Sequence, residues 1–138
     1  MSRRELDNLV AIGSLKHEVP STIEIASLMH SARARLQDAR SEQLALESRF
    51  DLAYNAAHAF ALAAMRFHGY RSTNRYLVFQ VLPYTASVDT ATWRVLAKAH
   101  GERNLLEYEG GGEVDARLLA DLIAAVTKIE EMVTTLVR

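Results

Sequence analysis

Apolar and polar positions alternate in the three-and-four rhythm of an α-helix along nearly the whole chain. Ser2-Arg3-Arg4-Glu5 has the form of a capping box and predicts a short first helix ending near Gly13. Pro20-Ser21 followed by Glu24 repeats the signal and predicts a second helix to about Arg40. Ser48 and Asp51 offer a cap for a third helix, with Phe50, Ala53, Ala57, Phe60, Ala64 and Phe67 on one stripe before Gly69. That helix also carries Ala56, Ala59, Ala61 and Ala63, small side chains that let neighbouring helices approach, so it is expected at the centre. Tyr76 to Leu82 is rich in β-branched and aromatic residues and would also suit a strand. No partner strand is apparent and unpaired backbone groups are costly, so a short helix ending before Pro83 is expected. Asp89 or Thr90 caps the next helix, and Gly110-Gly111-Gly112 closes it. Asp115 caps a last helix whose Leu118, Leu122, Ala125, Ile129, Met132 and Leu136 are spaced alternately by four and three. Leu119, Val126 and Val133 widen that stripe, as expected of a helix packed between others.

The expected fold class is therefore all-α: a bundle of four long helices with one or two short extra helices, in a single domain over residues 1–138. The length is enough to bury a real core. With 49% hydrophobic and 24% charged residues, the composition is that of a globular chain. There is no cysteine, which excludes a disulfide framework and thiolate chemistry. The N-terminus is charged where a signal peptide needs an apolar run, and no stretch approaches about 18 apolar residues, so a cytoplasmic protein without membrane contact is expected. A formal net charge of −1 gives no global attraction for nucleic acid, and any such binding must rest on a local patch.

One such place stands out. On a wheel of about 100° per residue, Trp93, Leu96 and Ala97 define an apolar arc, while Arg94, Lys98 and Glu102 lie outside it. One turn on, the inward arc passes to His100, Arg103, Asn104 and Glu107, with Tyr108 following. Burying such groups without partners costs about 1–3 kcal/mol each. Two readings stay open: a helix leaving the core with an exposed Arg103–Glu107 pair, or a polar pocket or dimer cleft.

The run Arg103-Asn104-Leu105-Leu106-Glu107-Tyr108 looks like the signature of the HEPN superfamily (higher eukaryotes and prokaryotes nucleotide-binding domains). That motif is an Arg, often followed by Asn, with a His a few residues further on near the end of a core helix. The layout resembles the family as well. An alanine-rich helix closing in Arg66-Phe67-His68-Gly69-Tyr70-Arg71, a short helix, the motif helix, a glycine break and a final long helix cover roughly residues 22–137. The resemblance implies a helical bundle that dimerises with its motif helices facing each other. It also implies either a metal-independent ribonuclease, often a toxin countered by a nucleotidyltransferase-type antitoxin, or an inactive binding module. In active members the Arg stabilises phosphate charge and the His serves the ribose 2′-hydroxyl as general base or acid.

This chain departs from the motif at its second half, because Tyr108 stands where the His would be. A phenol of pKa near 10 is deprotonated in only about one molecule in a thousand at neutral pH, a poor general base. Arg103 and Tyr108 are thus the candidate catalytic pair by position. The expected cleft comprises His100, Arg103, Asn104, Glu107 and Tyr108 and binds RNA or a nucleotide without efficient cleavage. A working ribonuclease and a helical interaction module without a ligand are the alternatives.

Other constellations carry less. Arg66, His68, Arg71 and Arg75 surround the Gly69 turn as a secondary basic patch, or as cations complementing a helix C-terminus. Tyr54 and His58, four apart, suit a hydrogen-bonded core pair. No Glu-x-x-His pair suggests a metal site, the triple glycine lacks a phosphate loop's Lys-Ser/Thr, and no cofactor is expected.

Overall fold

The computed structural model describes residues 2–106 and 114–138. The chain is mostly helical. In order come α1 (Ser2–Ala11), β1 (Lys16–His17), α2 (Thr22–Ala39), α3 (Leu46–Phe67), β2 (Tyr70–Arg71), α4 (Arg75–Gln80), α5 (Leu82–Thr85), α6 (Thr90–Asn104) and α7 (Ala116–Val137). No described helix is long and apolar enough to cross a membrane.

Side-chain caps start three of the four long helices where the sequence places them. Ser21 accepts from the Glu24 amide, Asp89 from Thr92 and Asp115 from Leu118, each satisfying an amide that the first turn leaves open. Helix α3 is different: it begins at Leu46 behind Ala45, with no side-chain cap, so Ser48 lies inside the first turn. Its entry is held instead by Arg49, whose Nε donates to the Ala39 carbonyl at 2.8 Å and ties it to the end of α2. Residues 76–80 are helical as expected. Pro83 does not close the region, because a further turn, α5, starts at Leu82 with the proline in its first positions, where its missing N–H costs nothing. The β1–β2 pair is unforeseen: Lys16 faces Arg71 and His17 faces Tyr70 in antiparallel register. Gly69 supplies the left-handed residue (φ 88°) that turns the chain from α3 into it.

Helix α3 occupies the centre, packed on α2, α7, α4, α5 and α6. Ala53, Ala56, Ala57, Ala61, Ala63 and Ala64 are fully buried, and Phe50 and Phe60 fill the space between the helices. Phe67, expected on the same stripe, is 38% exposed, lying in an open groove with Thr22, Ile25 and Met29 of α2 and Val137 of α7. Helix α7 buries Leu118, Leu119, Leu122, Val126, Ile129 and Val133 against α3, α6 and α2.

Candidate functional site

The C-terminal half of α6 combines two stripes. Arg103 continues the buried line of Thr92, Leu96 and Ala99, while His100 and Asn104 continue the half-buried line of Trp93 and Ala97. The core face is thus turned slightly from the expected arc, toward Ala99 rather than Ala97. At residues 105–106 the helix widens into a π-type turn. Glu107, Tyr108 and the three glycines lie outside the described residues.

The polar groups of α6 meet side chains from α3 and α4. A hydrogen bond of 2.9 Å joins the hydroxyl of the buried Tyr54 to His100 Nδ1, and Asn104 Nδ2 lies 3.4 Å from His100 Nε2. An amide donating to Nε2 leaves the ring proton on Nδ1, directed at the phenol oxygen. The Arg103 guanidinium sits 4.9 Å from the Tyr54 ring centroid and that of Arg75 5.8 Å from the same ring, two cation–π contacts on one phenol. Arg75 is held by donation from Nη1 to Asn55 Oδ1 at 2.9 Å, and Arg103 Nε lies 3.9 Å from an Asp51 carboxylate oxygen. Phe79 closes the inner side, its ring edge-on to Tyr54 at 5.5 Å and to His58 at 6.1 Å.

The electrostatics follow from this convergence. Burial, then Arg75, then Arg103 push the His58 imidazole down from 6.5 to about 4. Burial, then Arg103, then Arg75 lower His100 as well. Both rings are neutral at pH 7, and both sense the same positive field. A groove of about 360 Å³ opens beside the cluster, lined by Ala45, Glu47, Ser48, Asp51, Arg103 and Leu106 among others.

His100, Arg103 and Asn104 therefore share one site. The four residues of the secondary basic patch do not. Arg66 is 1% exposed and fully engaged. It donates from Nε to Glu24 at 2.7 Å and from its two terminal nitrogens to the carbonyls of Glu18, Val19 and Tyr70. Arg71 is paired with both Glu18 and Glu24 at 2.8 and 2.6 Å, so two carboxylates balance two guanidinia and leave no phosphate site there. His68 Nε2 donates to the Thr85 carbonyl at 2.7 Å. Arg75 alone turns away and joins the α6 cluster. Tyr54 and His58 do share a face, yet Tyr54 reaches across to α6. Asn55, Arg75, Tyr76 and Phe79 had no place in the sequence-derived cleft. The signal available for them was the polar Tyr54–His58 pair in an otherwise alanine-rich helix.

Among the described residues, no group of three His, Cys, Asp or Glu side chains could hold a metal ion. Comparison with protein-family models, curated proteins and solved structures finds no match.

Proposed function

We propose that this chain is a HEPN-like four-helix bundle built on α2, α3, α6 and α7. As a homodimer it binds RNA or a nucleotide at the cleft around residues 103–108, without efficient cleavage. The observation that supports the binding role is the convergence of Arg75 and Arg103 on Tyr54 beside two neutral imidazoles. Guanidinium groups are fork-shaped donors matched to phosphate oxygens, and the neutral imidazoles beside them leave the charge to the two arginines. The non-catalytic role is supported by His100 itself. Both its ring nitrogens face protein partners, Tyr54 and Asn104, whereas a general base needs a nitrogen within reach of the substrate proton. A nucleotidyltransferase-type antitoxin as partner follows from the family resemblance alone.

A second reading has its own support. The groove beside Arg103 includes Glu47 and Asp51 in its walls, and the neighbouring Leu44, Leu46 and Leu105 are exposed, features that suit a helical interaction module.

Arg103→Ala separates the two. Under the first reading the variant keeps its helical content and its melting temperature to within a few degrees, and binds a labelled RNA at least about tenfold more weakly, as for one charge-assisted fork. Unchanged RNA affinity supports the interaction module. Arg103-dependent cleavage by the wild type without added metal would establish the working ribonuclease instead.

A further inference from the structure

We infer that Tyr76 and Trp93 form a base-stacking subsite beside the Arg75–Arg103 pair, so that the ligand is a single-stranded oligonucleotide. Its phosphate lies at the guanidinia and its bases lie on the rings. The inference rests on the anion-binding reading above and adds what that reading leaves open.

The rings form a continuous strip. From Tyr54 the centroid separations are 6.2 Å to His100, then 5.2 Å from His100 to Tyr76 and 5.9 Å from Tyr76 to Trp93. Tyr76 is not sealed into the core: 37% of it is exposed, at the seam between α4 and α6. Past it, Trp93 forms one wall of a groove of about 660 Å³ that also includes Leu77, Gln80, Tyr84 and Thr90. The strip thus starts at two guanidinia, one of them beside Asp51, and ends in a mostly aliphatic groove. There Trp93 and Tyr84 offer ring faces, Asn8, Gln80 and Thr90 offer polar groups for base edges, and Glu5 adds an acidic side chain.

Length and charge select the occupant. Trp93 and Arg103 are ten residues apart on one helix, about 15 Å along its axis. That spans several stacked steps of about 3.4 Å, more than a free phosphate or one nucleotide uses. A duplex hides its base faces and offers the rings nothing. An acidic peptide would satisfy the guanidinia but gain no stacking. A single strand satisfies both, since every base presents a π-face to an aromatic ring.

Trp93 is the only tryptophan, so its emission reports occupancy directly. The probes are hexa-adenylate RNA, the matching DNA, a hairpin duplex, and tripolyphosphate as a polyanion without bases. Both single strands should quench Trp93 and bind more tightly than the hairpin, whereas tripolyphosphate binds without quenching. The RNA and DNA arms show whether the 2′-hydroxyl adds affinity. Tyr76→Leu should weaken the strands by about fivefold to a hundredfold and leave tripolyphosphate unchanged. Arg75→Gln should weaken every probe and reduce the salt slope by about one. Circular dichroism verifies the fold of each variant, and the strand-against-tripolyphosphate contrast in the wild type needs no variant. If tripolyphosphate binds through Arg75 while Tyr76→Leu leaves the strands untouched, the stacking subsite is wrong and the anion site stands. If neither strand nor tripolyphosphate binds, both are wrong.

Discussion

His58 shows what burial, reinforced by two nearby guanidinia, does to an imidazole. It sits one helical turn from Tyr54 on α3 and packs against Phe79, and it stays neutral down to about pH 4. In the unfolded chain the same ring titrates near its ordinary 6.5. Between those values the unfolded state binds the proton that the folded state refuses, so stability falls as pH drops from about 6.5 to 4. The loss approaches about 3 kcal/mol at the lower end. His58→Leu should remove that dependence, and denaturant melts at pH 7, 6, 5 and 4.5 measure it. A variant as acid-sensitive as the wild type would place the cause elsewhere. The residue scale is also where the sequence was least legible. The switch from apolar to polar along α6 can be read from spacing alone, and His100, Arg103 and Asn104 do share a site. Their partners Tyr54 and Arg75 belong to other helices, and no periodicity within one helix encodes which phenol of another it will meet. The sequence separation of 46 between Tyr54 and His100 is closed by tertiary packing, not by local pattern.

Elements announced themselves where capping chemistry is local. Ser21, Asp89 and Asp115 each accept from an amide three residues ahead, an interaction complete within four residues of sequence. Ser48 carried a similar signal, but the chain was already helical from Leu46, fixed by an arginine reaching back to α2. The β1–β2 pair was illegible for the same reason: its two short segments are set by what Arg66 holds. That side chain satisfies the carbonyls of Glu18, Val19 and Tyr70 together with Glu24, clamping the segment before α2 onto the end of α3. Arg66→Met should therefore cost about 2–3 kcal/mol, because it removes the buried guanidinium that serves the Tyr70 carbonyl, two part-buried carbonyls and the part-exposed Glu24 carboxylate at once. Arg66→Lys should recover only part of it. Glu24 adds a pH signature. Hydrogen bonds from Arg66, then Arg71, hold its carboxyl below the ordinary 4.5, so the stability it contributes is present above that value and is lost as pH falls through the lowered one. Melts of the Arg66 variants measure the effect, and a loss under about 1 kcal/mol would show that the surrounding backbone satisfies itself without the clamp.

For the molecule as a whole, the helical class and the central position of α3 were legible, because alanine content and long periodic stripes speak to packing generally. The long stripe of α7 was expected of a helix packed between others, and the structure packs it on α3, α6 and α2. Leu122, Val126, Ile129 and Val133 are buried within the chain, and no α7 residue is among the exposed large hydrophobics. The exposed leucines lie instead near the Arg103 groove, with Leu44 41%, Leu46 38% and Leu105 37% exposed. Leu46 and Leu105 are sequence neighbours of residues lining that groove, Ala45, Glu47 and Leu106. A homodimer joined across this face would bury these leucines and bring two copies of the Arg103 cluster together, as a symmetric interface requires. Sedimentation velocity should accordingly show a dimer at tens of micromolar, roughly the range where a modest interface associates. Leu105→Glu should shift it to monomer with unchanged helical content, because two like charges would meet near the symmetry axis. A dimer indifferent to Leu105→Glu would place the interface on another face. A wild-type monomer at that concentration would leave the cluster within a single chain and remove the shared cleft from the proposed function.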